Sequence, residues 1–242
     1  MMNLLIDIGN SFVKVAVSKN RKIIKDYKFF DLDLDKISDI IEKYDIKNSA
    51  LSNVSSPNEK LKQILTNKTS FYSFANKINI PFNCSYNLSE VGDDRLALMA
   101  AACLDFPNDN VLVIDMGTCI TYDIKSSQNN YCAGGISPGL NMRIKSISDG
   151  AFNLDEITPK YPDRLISIDT KSSLEIGVVA GIQYEIEGFI SKYSSEFSGL
   201  KVLITGGDSK ILSGKIKNTI FTNSNYIFKG LDFLIEYNKQ DA

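Results

Sequence analysis

Two short motifs in this sequence pair an aspartate with a glycine at the end of an apolar run. Residues 7–10 are Asp-Ile-Gly-Asn and residues 115–118 are Asp-Met-Gly-Thr. Glycine can take positive φ and lets a backbone approach an anion, and neighbouring N–H groups can donate to phosphate oxygens. Aspartate repels phosphate but can hold Mg²⁺, or a water on Mg²⁺, against it. Both motifs therefore suit phosphate binding, although each alone also suits an ordinary hairpin turn.

A third glycine-rich element follows an apolar run near the C-terminus. Residues 204–208 are Ile-Thr-Gly-Gly-Asp. They predict either a strand-to-helix turn or a flat backbone platform that admits a nucleotide. The phosphate-loop and dinucleotide fingerprints are absent from the sequence.

Residues 92–95 are Gly-Asp-Asp-Arg and precede a segment rich in Leu and Ala at 95–104, which predicts a helix. The acidic pair could cap that helix and favour its dipole. It could also provide a general base beside a cation. Because the chain has no histidine, such a base must be a carboxylate, Lys, Tyr or Cys.

The periodicity around these motifs predicts alternating strands and helices. In the first half, strands are predicted at 3–8, 13–17, 22–29 and 49–54. Helices are predicted at 32–44, in a segment that has Pro57 in its first turn, and at 95–104. In the second half, strands are predicted at 111–116, 120–124, 131–136 and 201–205, and helices after Pro138, at 172–193 and at 228–237, with a loop at 157–167.

The two Asp-x-Gly motifs occupy equivalent places in the two halves, which indicates an internal repeat. We therefore predict an α/β protein of duplicated domains, with lobes at residues 1–109 and 110–242 and an active cleft between them.

Composition restricts the class of protein. The chain has 242 residues, with 27 basic and 29 acidic side chains and a net charge of −2. This balance argues against a nucleic-acid partner. No signal peptide or membrane-length apolar run is visible, so a cytoplasmic protein without a membrane contact is expected. The four scattered cysteines predict reduced thiols.

The motifs together resemble those of type III pantothenate kinases. The resemblance rests on residues 7–11, on Glu-Val-Gly-x-Asp-Arg at 90–95, on residues 115–118 and on Gly-Gly-Ile-Ser-Pro-Gly at 134–139, in the same order and at similar separations. That family belongs to the actin-like and sugar-kinase-like ATPases. The resemblance thus implies two ribonuclease H-like domains and ATP-dependent phosphorylation of pantothenate, the first step of coenzyme A synthesis.

The resemblance also implies roles for single residues. Asp94 would be the general base, Asp7 would organise Mg²⁺, and Asp115 would hold a monovalent cation, K⁺ or NH₄⁺. ATP would be bound by Asp7, Ile8, Gly9, Asn10, Ser11, Phe12, Val13, Lys14 and Thr118. Pantothenate would be bound by Gly92, Asp93, Asp94, Arg95, Thr170 and Tyr86. Family members are homodimers with acceptor sites near the subunit interface.

Several positions depart from the family pattern, and Ser11 and Cys119 replace commoner Thr, Ala or similar residues. The substrate-contacting Tyr of the family falls on Ser85 here, with Tyr86 adjacent, and the family's Asn-Thr pair before the long helix is Asp169-Thr170. Two other functions stay open: a kinase for another small molecule, and a catalytically silent nucleotide-binding regulator. The silent protein is disfavoured by the intact Asp7, Asp94, Arg95 and Asp115.

Overall fold

The structure is a computed structural model that describes residues 1–76, 78–150, 157–222 and 224–239. It divides into two compact units. The first comprises Met1–Pro107, Gln128–Cys132 and Asn225–Ala242, and the second Asn108–Ser127 and Ala133–Ser224. This differs from the predicted lobes 1–109 and 110–242, because the C-terminal residues belong with the first unit.

The sheet of the first unit has five strands. They are β1 (Met2–Ile8), β2 (Val13–Lys19), β3 (Lys22–Phe29), β4 (Ile46–Asn53) and β5 (Ser70–Ser73), in the order β3-β2-β1-β4-β5. The first three strands form an antiparallel meander, while β4 runs parallel to β1 and β5 runs parallel to β4. The four strands predicted in this region are confirmed. Strand β5 was missed because it is short and partly polar.

The helices of the first unit are α1 (Leu34–Lys43), α2 (Glu59–Lys68), α3 (Asp93–Asp105) and α7 (Tyr226–Lys239). The prediction that Pro57 lies in the first turn of α2 is wrong. The helix begins at Glu59, and the side chain of Asn58 accepts the Leu61 N–H at 2.9 Å. An Asn cap satisfies a backbone donor that has no partner inside the helix, so Pro57 falls just outside it.

Helix α7 packs on α3 and also contacts β1 and β4, which explains its membership of the first unit. Nearly the whole of α3 is buried, from Arg95 to Cys103. The core under the sheet includes Leu4, Ile6, Val15, Ile37 and Leu61. Strand β6 (Asn83–Cys84), also in this unit, pairs in parallel with Asn130 and Tyr131 and is an edge strand of the second sheet.

The second unit repeats the topology of the first. Its strands are β7 (Val111–Met116), β8 (Cys119–Lys125), β9 (Asn130–Pro138), β10 (Lys201–Thr205) and β11 (Thr219–Phe221). They lie in the order β9-β8-β7-β10-β11, and β6 is added beside β9 as the sixth strand of the sheet. Chain order therefore maps onto sheet order as it does in the first unit. Strand β10 runs parallel to β7, as β4 does to β1. The repeat predicted from the two motifs extends to whole sheets.

The helices of the second unit include α4 (Leu140–Gly150), α5 (Thr170–Glu175) and α6 (Gly181–Glu196). The single helix predicted at 172–193 is interrupted by a π-helical segment, Ile176–Ala180. Gly and β-branched residues there weaken the ordinary α-helical ladder. The predicted apolar stripe still reaches the core, where Val179, Ile182 and Ile186 are buried. Residues 157–168 have no regular structure, as predicted. No helix in the described ranges has the length and apolarity to cross a bilayer.

Candidate active site

The first hairpin places Asp7 at the carboxyl end of β1. Asp7 lies opposite Lys14 on β2 and beside Ser52 on β4. Its Oδ1 accepts a hydrogen bond from Ser52 Oγ at 3.2 Å, and its Oδ2 lies 3.4 Å from Lys14 Nζ. Directly opposed residues in a sheet share a face, so the register itself brings these three side chains together.

Burial raises the pKa of Asp7, because only 6% of the residue is exposed and a charged carboxylate loses hydration there. The positive charge of Lys14 and the hydrogen bonds from Lys14 and Ser52 act in the opposite direction. A carboxylate held in this way can also bind a cation that arrives together with a ligand.

The hairpin turn between β1 and β2 is closed by one backbone bond, from Gly9 N–H to Phe12 O at 3.1 Å. Asn10 and Ser11 at its tip are exposed. The Phe12 ring lies under the ammonium of Lys28, with Nζ 3.5 Å from the ring centroid. The turn therefore presents polar groups at its tip while its aromatic side is covered.

The acceptor motif at 92–95 lies next to this hairpin. Asp93, in the first turn of α3, accepts the backbone N–H of Asn53 through Oδ2 at 3.0 Å. Asn53 follows Ser52 directly, so two consecutive residues of β4 connect Asp7 to Asp93. Burial raises the pKa of Asp93, and the bond from Asn53 partly offsets that rise. The structure thus brings the predicted phosphate hairpin and the predicted acceptor motif to one end of one sheet.

The other members of the motif occupy the start of the same helix. Gly92 is the cap residue of α3, and Asp94 Oδ1 accepts the Arg95 N–H at 2.7 Å. Acidic groups in a first turn interact favourably with the helix dipole. Arg95 is buried, with 8% of its surface exposed. The cap residue is therefore Gly92, without a side-chain cap bond, and the acidic pair lies in the first turn of the helix.

The second hairpin is tighter than the first. Asp115 pairs with Thr121 across the β7–β8 ladder and with Thr205 on β10. The turn is closed by the bond from Gly117 N–H to Cys119 O at 3.0 Å, and Thr118 at its tip is exposed. The position of Lys14 is taken by Thr121, so no lysine opposes Asp115 on β8.

The glycine-rich element at 204–208 lies against the end of β7 and leads into a short 3-10 helix, Ser209–Leu212, as a strand-to-helix turn does. Gly206 has φ of +98°, and a Cβ there would come within 2.3 Å of Met116 O. Asp208 N–H donates to the same carbonyl at 3.0 Å. Gly206 therefore has positive φ, whereas Gly9 and Gly117, the glycines of the two Asp-x-Gly motifs for which positive φ was considered, do not. Those two turns close with ordinary φ angles because their loop geometry does not require a left-handed residue.

The segment 134–139 ends directly behind the second hairpin. Gly139 N–H donates to Thr118 O at 3.0 Å. A Cβ at Gly139 would lie 2.2 Å from Gly117 O and 2.4 Å from Thr118 O, so only glycine permits this contact. Gly139 therefore packs directly against the backbone of the Thr118 hairpin.

Two predicted substrate residues lie outside these clusters. Tyr86 is 50% exposed and follows β6 in the first unit, where its carbonyl accepts from Cys84 Sγ at 3.3 Å. Thr170 is exposed and opens α5 in the second unit. Its neighbour Asp169 caps that helix in a capping box with Ser172. This assigns a structural role to Asp169, where the family has Asn.

Sequence reasoning missed several polar partners of these motifs. Ser52 and Asn53 gave no signal, because a polar residue at the end of a strand is common. Glu185 on α6 had a detectable signal. It lies three residues after buried Ile182 and four before Phe189, which is an unusual place for a charge within an apolar stripe.

The donor set fits the cations that the resemblance implies. No group of three or more Cys, Asp or Glu side chains in the described part of the chain is arranged as a metal cluster. Mg²⁺ in phosphate-transfer sites is usually held by one or two carboxylates together with substrate phosphates and waters. A single carboxylate such as Asp7 is sufficient for that mode.

Comparison with known proteins places these motifs in a family. The family model described as type III pantothenate kinase matches residues 3–192. A type III pantothenate kinase from Christiangramia forsetii is 42% identical over 241 residues, covering 98% of this chain and 99% of that relative.

Solved structures of other proteins have folds similar to that of this chain. A candidate Baf family transcriptional activator from Campylobacter jejuni matches with a TM-score of 0.65 and 26% identity, covering 98% of this chain and 99% of that one. MreB5 of Spiroplasma citri bound to AMPPNP matches with a TM-score of 0.52 and 11% identity, covering 99% and 97%. The predicted fold of duplicated ribonuclease H-like domains, as in actin-like ATPases, is confirmed.

With a family model over most of its length and a relative at 42% identity, the chain belongs to the type III pantothenate kinase family.

Proposed function

We propose that this chain transfers the γ-phosphoryl group of ATP to the hydroxyl of pantothenate, giving 4'-phosphopantothenate, the first step of coenzyme A synthesis. The observation that carries the proposal is the connection through β4. Ser52 Oγ donates to Asp7 and Asn53 N–H donates to Asp93, which joins the phosphate hairpin to the acceptor motif. Phosphoryl transfer depends mainly on such alignment of donor and acceptor.

In this proposal the acceptor hydroxyl is activated by Asp94. Of the two adjacent carboxylates, Asp93 anchors the end of β4, while Asp94 accepts the N–H of the next residue in α3. Asp94 takes the hydroxyl proton late in the transfer. The Arg95 guanidinium supplies a cationic partner for the carboxylate of pantothenate. The remaining pantothenate contacts are assigned to Gly92, Thr170 and Tyr86.

The nucleotide is bound by backbone and side-chain groups at 7–14 and by Thr118. The exposed tip at Asn10 and Ser11 donates to phosphate oxygens, and Lys14 supplies positive charge. Asp7 holds Mg²⁺, which neutralises phosphate charge when bound. Asp115 holds the monovalent cation, K⁺ or NH₄⁺.

We further propose that the protein works as a homodimer. Three large apolar side chains of one loop, Leu165, Ile166 and Ile168, are 57%, 81% and 70% exposed. Burial of such residues in a subunit interface would remove apolar surface from water. The loop directly precedes Thr170, so dimer contacts there would lie next to a proposed substrate residue. Light scattering of the purified protein tests the stoichiometry.

The deciding experiment is an ADP-release assay with ATP, Mg²⁺ and K⁺, run with and without pantothenate. The proposal expects ADP to form only when pantothenate is present, together with a phosphorylated product in equal amount. ADP release that requires a different small molecule in place of pantothenate would indicate a kinase for that other molecule.

A second candidate function is that of a nucleotide-binding regulator without catalysis. It is favoured by the likeness to the candidate Baf family transcriptional activator. This function predicts that ATP binds but that ADP is not formed with any acceptor molecule. The intact Asp7, Asp94 and Arg95 and their geometry favour the kinase.

A further inference from the structure

A carboxylate in the second unit stands at the centre of a polar cluster outside the motifs. Glu185 Oε1 accepts from Tyr122 Oη at 2.7 Å and from Ser137 Oγ at 2.5 Å, and its Oε2 accepts from Arg143 Nη2 at 2.5 Å. The charged partners are about one-quarter exposed, with side-chain values of 21% for Arg143 and 24% for Glu185. Charge-assisted bonds of this kind are about twice as strong as neutral ones.

The cluster holds one short piece of backbone. Arg143 Nε donates to Pro138 O at 2.8 Å, and Arg143 Nη2 also reaches Ser137 Oγ at 3.3 Å. Glu185 therefore fixes Ser137 directly and Pro138 through Arg143. Three separate elements, β8, α4 and α6, supply the side chains that converge on this segment.

The next residue, Gly139, contacts the second hairpin, so the position of residues 137–138 affects the position of that hairpin. Gly139 N–H donates to Thr118 O at 3.0 Å, and no side chain separates Gly139 from the carbonyls of Gly117 and Thr118. A shift of residues 137–139 toward the hairpin would collide with those carbonyls. A shift away would break the bond to Thr118.

We propose that Glu185 is a positioning residue for the nucleotide. Through Arg143, Ser137 and Gly139 it keeps the Thr118 turn in the conformation that binds ATP. The inference rests on the proposed function, in which Thr118 contacts ATP. Glu185 itself touches neither ATP nor pantothenate in this scheme.

The test compares Glu185→Gln with wild type in nucleotide affinity and in kinetics. The variant keeps the size of the side chain but loses its charge. We expect the Kd of AMPPNP and the KM of ATP to rise about tenfold, since hydrogen bonds to charged groups are lost. The KM of pantothenate should stay within about twofold, because the side chains that bond Glu185, those of Tyr122, Ser137 and Arg143, include none of the proposed pantothenate contacts.

Matched variants separate positioning from general stability. Glu196→Gln, on the same helix, removes the exposed ion pair with Lys192 (3.4 Å) and should change neither affinity nor melting temperature. Arg143→Met should raise the Kd of AMPPNP like Glu185→Gln, and the double variant should be no worse than the single ones, because both act through one network.

Two results would overturn the inference. One is an unchanged AMPPNP Kd in Glu185→Gln. The other is a loss confined to melting temperature and active fraction, which indicates a purely structural role. Because AMPPNP binding is measured without turnover, the inference can fail while the kinase assay succeeds. A wild type that lacks pantothenate-dependent ADP release would instead refute the proposed function.

Discussion

Ser52 Oγ lies 3.2 Å from Oδ1 of Asp7, on the neighbouring parallel strand of the first sheet. The hydroxyl is fully buried, so this donor is not replaced by water when it is removed. In the second unit the equivalent neighbour of Asp115 is also a hydroxyl residue, Thr205. The repeat therefore preserves an Asp beside a hydroxyl on the adjacent strand in both units.

Ser52→Ala should shift the acidic limb of the pH–rate profile to higher pH. Burial raises the pKa of Asp7 and the hydrogen bond from Ser52 lowers it, so removing the donor raises that pKa further. The ionised carboxylate is then lost at a higher pH as acid is added. The pH dependence of kcat/KM for ATP, measured between about pH 5 and 8 at a constant Mg²⁺ concentration, checks this.

A control for that variant is Ser49→Ala on the same strand. Ser49 is also fully buried, but its hydroxyl pairs with Thr69 Oγ1 at 2.6 Å. It should lower stability without moving the pH profile. An equal shift in both variants would contradict a specific role for Ser52.

Asp94→Asn should lower kcat by about 10²–10⁴, the usual contribution of a general base, while the Kd of AMPPNP stays near that of wild type. The amide keeps an oxygen that can accept the Arg95 N–H, so the helix start is preserved. Steady-state kinetics and calorimetry measure the two quantities. Turnover at the wild-type rate would remove Asp94 from the mechanism.

Asp115→Asn should abolish activation by K⁺, because the neutral amide loses the charge that attracts the ion. Activity in Na⁺ should change little, so the ratio of rates in K⁺ and Na⁺ should fall toward about 1. A titration of rate against KCl at constant ionic strength measures the effect. A retained K⁺ response would locate the monovalent site elsewhere.

Gly139→Ala should weaken ATP binding and lower stability by about 1–3 kcal/mol, the range for forcing an extra methyl group into a packed site. The added Cβ would meet the carbonyls of Gly117 and Thr118 at 2.2 and 2.4 Å. Thermal unfolding and AMPPNP binding measure both effects.

Gly188→Ala is the matched control for this variant. Gly188 lies within α6 with nothing within 4 Å of an added Cβ. Alanine should stabilise the helix by up to about 1 kcal/mol. Destabilisation by both variants would show that the Gly139 effect is not steric.

Local patterns in the sequence predicted most elements and the duplicated fold. Apolar runs and alternation marked the first strand of each unit, and the two Asp-x-Gly motifs revealed the repeat. Short edge strands such as β11 carry too few residues for a periodic signal. The π-helical segment was missed because its apolar spacing matches that of an α-helix.

The partners of the predicted site residues were beyond reach for a different reason. Asp7, Ser52 and Asp93 are separated by about 40 residues each in the chain. Their contacts follow from strand register and from the packing of α3, neither of which a local pattern encodes. The long-range pair of Arg143 and Glu185 is a similar case.

The first unit is discontinuous in the chain, because α7 follows the whole of the second unit and packs on α3. During translation, the strands β1 to β5 and α3 leave the ribosome long before α7 is made. Helix α3, which is largely buried in the completed fold, therefore lacks its packing partner α7 until the second unit has been synthesised. Folding of the second unit can precede completion of the first, which reverses the usual order from N-terminus to C-terminus.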